Sequence, residues 1–357
     1  MPKKFETKVD SVYAWITALA SLLLATIGAG IFYLVGIAIV PYAQEWSISV
    51  EEASRPYGAA MLGMGFGGLL MGWLADRYGA FFPTFVGAIS IGAGCFLVSL
   101  SDNFSEVLLI YAILLGGFGN SALAAPLFAN AMLWFKKRRG VASAIVGSGN
   151  ALGGAVWPTV YFWYISNFGI ESLYQSFALF ATVTMVPLCF ILRIKIPPPQ
   201  ESESNLQSNG LKDDNLIFGQ KIFVALTCLA IVGCCISMSM PLVHLPNYVG
   251  TKDISLEQGA ILLSVLMTSS VSARILWGLI CDKIGGLLTL LMASSLQALG
   301  ITGMAFANEL PTFYLSGIIF GIGFGGILPC YPVILRELLP SKGLALRIGL
   351  VVLFGTV

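Results

Sequence analysis

Long apolar runs separated by short polar turns dominate this sequence and limit its fold more than any other feature. Ten runs are complete, and an eleventh begins near Gly343 and extends to Val357, where the sequence stops. A transmembrane helix needs about 20 predominantly apolar residues. Only 10% of the 357 residues are charged, whereas a soluble domain carries about a quarter. Because so few charges cannot solvate a soluble protein's surface, we predict an all-α polytopic membrane protein.

Composition argues against several other classes of protein. Seven Cys in 357 residues are too few, and odd in number, for a disulfide-stapled secreted domain. A formal net charge of +1 without a basic stripe argues against nucleic-acid binding. The runs contain no paired acids, no nucleophile beside a base and no cluster with metal-ligand spacing, so we expect no enzyme, no metal and no cofactor.

Positive charge predicts the orientation, because Lys and Arg concentrate in cytoplasmic loops. With a cytoplasmic N-terminus, sixteen of the 19 Lys and Arg residues fall on the cytoplasmic side and two, Arg55 and Lys252, on the other. The remaining one, Arg274, lies within a run. We therefore predict a multi-pass protein of the plasma or bacterial inner membrane with its N-terminus in the cytoplasm.

The chain divides into two related halves. Residues 193–219 are rich in Pro, Ser, Asn, Gln and acidic residues, which predicts a flexible cytoplasmic linker. Identical residues recur at an offset of 206 on either side of it, among them Tyr42/Tyr248, Ser49/Ser255, Gly117/Gly323 and Pro126/Pro332. We predict an N-terminal six-helix repeat (1–192) and a C-terminal repeat (220–357) that stops within helix 11. Parallel repeats of this kind are typical of rocking secondary transporters.

The loops after the second and eighth runs, here called the latch loops, carry a duplicated motif. They read Gly72-Trp-Leu-Ala-Asp76-Arg77-Tyr-Gly79 and Gly278-Leu-Ile-Cys-Asp282-Lys283-Ile-Gly285. Both resemble the signature loop of the major facilitator superfamily. The resemblance implies that fold, and a conformational latch whose Asp holds the two halves together on the cytoplasmic side. A carboxylate at the membrane edge is also stabilised by a helix N-terminus. The alternative is that Asp76 and Asp282 are solvated turn residues.

Two other segments resemble the monocarboxylate porters, including the oxalate/formate-exchanger-like members. They are residues 10–15, before the first run, and residues 134–149, which lead into the fifth. The resemblance implies a small organic anion as substrate, with a coupled proton or counter-anion.

Arg274 in the eighth run is the only charged residue in the interior of any of the complete runs. A guanidinium there costs at least ~2.5–3.5 kcal/mol to insert and normally faces a cavity. Its repeat counterpart is Gly68, so the charge is present in one half only. The resemblance implies that Arg274 binds the substrate carboxylate, to which it can donate two parallel hydrogen bonds. Alternatively, Arg274 extends to the membrane edge or pairs with a backbone carbonyl.

Several polar residues are further candidates for contact with the substrate, namely Ser270, Asn120, Asn150, Tyr33, Tyr331 and His244. Ser270 stands where animal monocarboxylate porters have an Asp tied to proton coupling, so no carboxylate relay is visible beside Arg274. Each candidate also has a structural interpretation: interhelical hydrogen bonding for the amides, amphipathic packing for the tyrosines, and an interfacial position for His244.

The sequence thus predicts a monomeric secondary transporter that moves a small monocarboxylate or dicarboxylate by alternating access. Two alternatives remain open. One is efflux of a neutral or amphipathic solute through a larger apolar cavity, with Arg274 structural. The other is a transport-inactive sensor that binds solute and signals through a partner.

Overall fold

The structure, a computed structural model, describes residues 9–194, 214–252 and 254–356. All regular elements in these ranges are helices: α1 Val12–Glu45, α2 Val50–Tyr78, α3 Phe81–Val98, α4 Phe104–Trp134, α5 Arg139–Phe168, α6 Ile170–Ile191, α7 Asp214–Gly250, α8 Leu256–Ile284, α9 Gly286–Phe306, α10 Leu310–Leu338 and α11 Leu344–Thr356. Within the described ranges, nine helices are long and apolar enough to cross a membrane, and α11 is a shorter apolar helix.

The predicted linker falls mostly outside the described residues, since 195–213 are not among them. The part that is described shows α7 already helical from Asp214, before the run expected to start at 220. The N-terminal lysines used in the charge count, Lys3, Lys4 and Lys8, also lie outside the described residues.

The sequence repeat recurs as matching local geometry in the two halves. Ser49 and Ser255 each cap a helix, with side chains that accept hydrogen bonds from the backbone N–H three residues on, at 3.1 and 3.3 Å. Gly79 and Gly285 end α2 and α8 with φ of +83° and +86°, a conformation that favours glycine. At these two pairs, identical residues at the 206 offset therefore have the same structural role in both halves.

Helix α4 covers the fourth apolar run, residues 106–134, but it is not one uninterrupted α-helix. Its middle is a π-helical stretch at Tyr111–Gly119, followed by a 3-10 turn at Asn120–Leu123. The backbone here lies against α2, so that a Cβ added at Gly67 would be 1.9 Å from the Gly117 carbonyl oxygen. Its repeat counterpart α10 is one α-helix. π-helical segments are frequent at functional sites, and this one leads directly to Asn120.

Several helix pairs join the halves, and the two most extensive contacts are those of α2 with α11 and of α5 with α8. Both contacts depend on glycine. A Cβ at Gly72 would be 2.5 Å from the Ala345 carbonyl oxygen, and one at Gly278 would be 2.9 Å from the Val141 Cα. The halves thus meet backbone to backbone beside the latch loops, and a cavity lies between them further along the helices.

Candidate functional site

The cavity between the halves has a volume of about 370 Å³. Helices α1, α2, α4 and α5 line it from the N-terminal half, and α7, α8, α10 and α11 line it from the other. Among the described residues, Arg274 is the only charged side chain in the lining. The cavity therefore combines one positive charge with a largely apolar wall.

Arg274 reaches from α8 across the cavity to the opposite half. One guanidinium N–H donates to the Gly147 carbonyl oxygen on α5 at 2.5 Å. This is the backbone-carbonyl partner that the sequence analysis left open as an alternative to substrate binding. The bond leaves the buried Nε without a hydrogen-bond partner, however, and a neutral carbonyl does not neutralise the charge. The guanidinium thus keeps unused capacity to bind an anion.

Four other predicted site residues also line the cavity: Asn120, Asn150, Tyr33 and Tyr331. The Asn120 amide donates to the Gly28 carbonyl oxygen at 3.2 Å, and the Tyr33 hydroxyl donates to the Asn150 carbonyl oxygen at 3.2 Å. These bonds fix the side chains of α4 and α1 against their neighbours. The Asn150 side chain is exposed on the cavity wall.

The structure does not bring the remaining two predicted residues to the cavity. Ser270 is 1% exposed and packs against α10, where a Cβ added at Gly325 would be 2.3 Å from the Ser270 carbonyl oxygen. His244 is an exposed residue of α7 and is not in the lining. Ser270 lies one turn before Arg274 on α8, but its backbone is in close contact with Gly325 of α10, and Ser270 is not in the lining.

A group of large side chains in the lining was not among the predicted site residues. It consists of Phe32, Tyr57, Met61, Met64 and Phe128, here called the aromatic wall. The rings of Phe32 and Tyr57 meet edge to face at 5.6 Å. Residues 57, 61 and 64 share one face of α2 by helical spacing, but a lipid-facing stripe has the same spacing, so the pattern alone does not distinguish the two.

The segments called latch loops are helical in the structure, as the ends of α2 (to Tyr78) and α8 (to Ile284), and Asp76 at the end of α2 contacts the C-terminal half. Its carboxylate oxygens accept hydrogen bonds from the backbone N–H groups of Ala345 at 3.0 Å and Leu346 at 2.9 Å, in the first turn of α11. Arg77 points elsewhere, with its guanidinium 5.5 Å from the Trp73 and Tyr78 ring centroids. The carboxylate thus caps a helix of the opposite half.

Asp282 repeats this arrangement in the other direction. Its carboxylate accepts hydrogen bonds from the backbone N–H groups of Gly140 at 2.6 Å and Val141 at 3.2 Å, in the first turn of α5. The next residue, Lys283, is exposed. Both latch loops therefore stabilise the N-terminus of a helix in the other half, where the helix dipole favours a negative charge.

The two segments that resemble monocarboxylate porters lie together in space. The Asp10 carboxylate accepts hydrogen bonds from the backbone N–H groups of Lys136 and Lys137 at 3.2 Å, and the Asp10 N–H donates to the Trp134 carbonyl oxygen at 3.0 Å. The Arg138 guanidinium lies 5.8 Å from the Trp15 ring centroid. These contacts position the loop from which α5 begins, next to the partners of Asp282.

Comparison with known proteins identifies the fold. Residues 16–357 match the Major Facilitator Superfamily profile. The MFS-type transporter pynF of Aspergillus niger is 26% identical over 356 residues, which cover 98% of this chain and 80% of that protein. The agnestins efflux protein AgnL12 of Paecilomyces divaricatus is 24% identical over 286 residues, 80% of this chain and 64% of that protein. The solved proton:xylose symporter XylE has a TM-score of 0.67 at 17% identity, over 96% of this chain and 86% of that one.

Proposed function

Because this chain belongs to the major facilitator superfamily, whose members compared above are transporters rather than enzymes, we propose that it carries a small organic anion by alternating access. The observation that supports an anion is Arg274, the one charged side chain of the described lining. Its Nε is buried without a partner. A buried charge without a counter-ion is unfavourable, and a substrate carboxylate in the cavity would provide that counter-ion.

The geometry suggests how binding and movement are connected. Arg274 belongs to one half, and Gly147, which accepts its hydrogen bond, belongs to the other. A carboxylate that accepts two parallel hydrogen bonds from the guanidinium replaces the Gly147 carbonyl as the acceptor. The substrate then takes over the contact between the halves at the cavity, and the halves rock about it.

The same proposal includes the membrane topology. We infer a plasma or inner membrane protein with a cytoplasmic N-terminus, which puts the latch loops at the cytoplasmic face, and a monomer as the working unit. A reporter fused near Asn209 should be cytoplasmic and one near Asn167 external. A label near Asn209 that reacts from outside intact cells would reverse this orientation.

The decisive experiment is substrate counterflow in proteoliposomes with labelled monocarboxylates and dicarboxylates. Arg274→Ala should abolish carboxylate transport while membrane insertion is retained. Arg274→Lys keeps the positive charge but loses the planar guanidinium, which can donate two parallel hydrogen bonds to one carboxylate. One charge-assisted hydrogen bond contributes about 1.5–3 kcal/mol, so affinity should fall roughly ten- to hundredfold.

Arg55→Ala is the matched control, because this exposed Arg pairs with Glu52 at 3.0 Å, outside the cavity lining, and should transport normally. If Arg274→Ala transports a carboxylate as well as the unmodified protein, the anion proposal is wrong.

Efflux of a neutral amphipathic solute is the second candidate, and the apolar aromatic wall is the observation that favours it. AgnL12, by its name, is an efflux protein. In this case the Arg274–Gly147 bond is structural, and Arg274→Ala should leave the export of neutral compounds intact while carboxylates are not transported at all.

A further inference from the structure

The large ring side chains of the cavity are concentrated in one half of the molecule. Phe32 and Tyr33 on α1, Tyr57 on α2 and Phe128 on α4 belong to the N-terminal half, and Tyr331 is the ring residue from the C-terminal half. Tyr331 is 3% exposed, so it adds little open surface. The cavity thus takes most of its aromatic surface from one half and its charged residue, Arg274, from the other.

The repeat shows that this distribution departs from the symmetry of the scaffold. At the 206 offset, Phe32, Tyr33, Tyr57 and Phe128 correspond to Met238, Ser239, Leu263 and Ile334. In the other direction, Arg274 of the C-terminal half corresponds to Gly68 of the N-terminal half. Many positions differ between the repeats, but the ring side chains and the guanidinium are differences that line one and the same cavity. A ligand with two different ends needs different groups at those ends, so the two differences together fit one bipolar ligand.

The polar groups of the cavity fit a single carboxylate. The Asn120 amide already donates to the Gly28 carbonyl, and the Tyr33 hydroxyl to the Asn150 carbonyl. The described lining offers no second cation to a dicarboxylate. A volume of about 370 Å³ also lies within the range of ~300–1,000 Å³ common for small-molecule pockets, and a two-carbon acid would leave most of it unfilled.

Resting on the proposed function, we propose that the substrate is an aromatic monocarboxylate, held with its carboxylate on Arg274 and its ring on the aromatic wall. Phe128 lies beside the charged end, since a Cβ added at Gly147 would be 3.4 Å from the Phe128 ring. Phe32 and Tyr57 form an edge-to-face pair that extends the apolar surface. Met61 and Met64 have flexible thioether side chains that adapt to different ring shapes.

The test measures binding of 2-naphthoate, benzoate, acetate, oxalate and benzamide to the purified full chain, by ligand-induced shifts in thermal unfolding and by calorimetry. We expect 2-naphthoate to bind at least tenfold more tightly than acetate or oxalate. The double variant Phe32→Ala/Phe128→Ala should weaken 2-naphthoate binding by tenfold or more and change acetate binding less than twofold. Phe128→Leu should retain an intermediate affinity, which separates ring loss from misfolding.

Phe66→Ala is the control, because Phe66 lies on α2 but is 65% exposed and is not in the lining; it should bind 2-naphthoate normally. If acetate or oxalate binds as tightly as 2-naphthoate and only Arg274→Ala abolishes binding, the aromatic proposal is wrong and the anion proposal stands. If benzamide binds as tightly as benzoate and Arg274→Ala changes neither, the proposed function itself is wrong.

Discussion

The latch end, where Asp76 and Asp282 join the halves, preserves the internal repeat, whereas the central cavity departs from it. At the latch end, Asp76 and Asp282 each accept two backbone hydrogen bonds from the first turn of a helix in the other half. In the cavity, Arg274 corresponds to Gly68 at the 206 offset, and the three rings of the aromatic wall, Phe32, Tyr57 and Phe128, correspond to Met238, Leu263 and Ile334. One region keeps the symmetry of the scaffold and the other breaks it.

This difference separates two kinds of requirement. The closing of two similar halves against each other can use the same contact twice, in reciprocal directions. A ligand with distinguishable ends needs different groups on its two sides. At the latch end the symmetric residues therefore join the halves, and in the cavity the asymmetric residues are those that we propose to contact the substrate. The following variants test that division.

The largest conformational effect is expected when both latch carboxylates are removed. Asp76→Asn/Asp282→Asn eliminates both charges at helix N-termini, where the interaction of a charge with the helix dipole contributes about 0.3–1 kcal/mol each. The two sites share no partner, so their effects should add and shift the open-to-closed ratio of the latch end by about three- to thirtyfold. Distance measurements between spin labels at Lys137 and Lys342 would detect this. Glu52→Gln, at the other end of α2, should leave the distances unchanged.

The single variants sharpen the comparison. Asp76→Asn and Asp282→Asn should each shift the same distance distribution by about two- to fivefold, corresponding to about 0.3–1 kcal/mol, and should resemble each other. If one of them alone reproduces the double variant, the latch is not symmetric. If neither single nor double variant changes the distances or transport, both carboxylates are ordinary turn residues.

A smaller effect is expected for Asp10→Ala. Both of its partners, Lys136 and Lys137, lie in the same half as Asp10, so the contact stabilises a loop without joining the halves. We expect a lower unfolding temperature, consistent with a loss of about 1 kcal/mol from the missing hydrogen bonds, and an unchanged latch distance. Asp10→Asn should be milder, because Asn tolerates the positive φ of 60° at this position. An increased latch distance in Asp10→Ala would contradict this expectation and would show that Asp10 helps to hold the halves together.

Sequence reasoning located the parts of the site that depend on charge. Arg274 was identifiable because a charge within an apolar run is costly, and the helix N-termini opposite Asp76 and Asp282 follow from electrostatics. It also gave the all-α fold, because span length and charge scarcity are properties of the chain itself.

Residues whose roles depend on packing between distant segments were not predictable in the same way. The Gly147 carbonyl is chemically identical to every other carbonyl, and only the crossing of α5 and α8 makes it the partner of Arg274. The π-helical stretch of α4 arises from backbone contact with α2 at Gly67 and Gly117. In sequence, the residues of the aromatic wall look the same as lipid-facing residues, because the rotation of each helix about its own axis is set by packing between helices.

The hydrogen bond from Arg274 to the Gly147 carbonyl has a kinetic consequence. A bond from a charged donor contributes about 1.5–3 kcal/mol, and an unloaded protein must break it before its halves can separate at the centre. A bound carboxylate offers a replacement acceptor and removes that barrier. The loaded form should therefore reorient faster than the empty form. Exchange of one substrate anion for another should then be faster than net transport, and the empty protein should dissipate a substrate gradient only slowly.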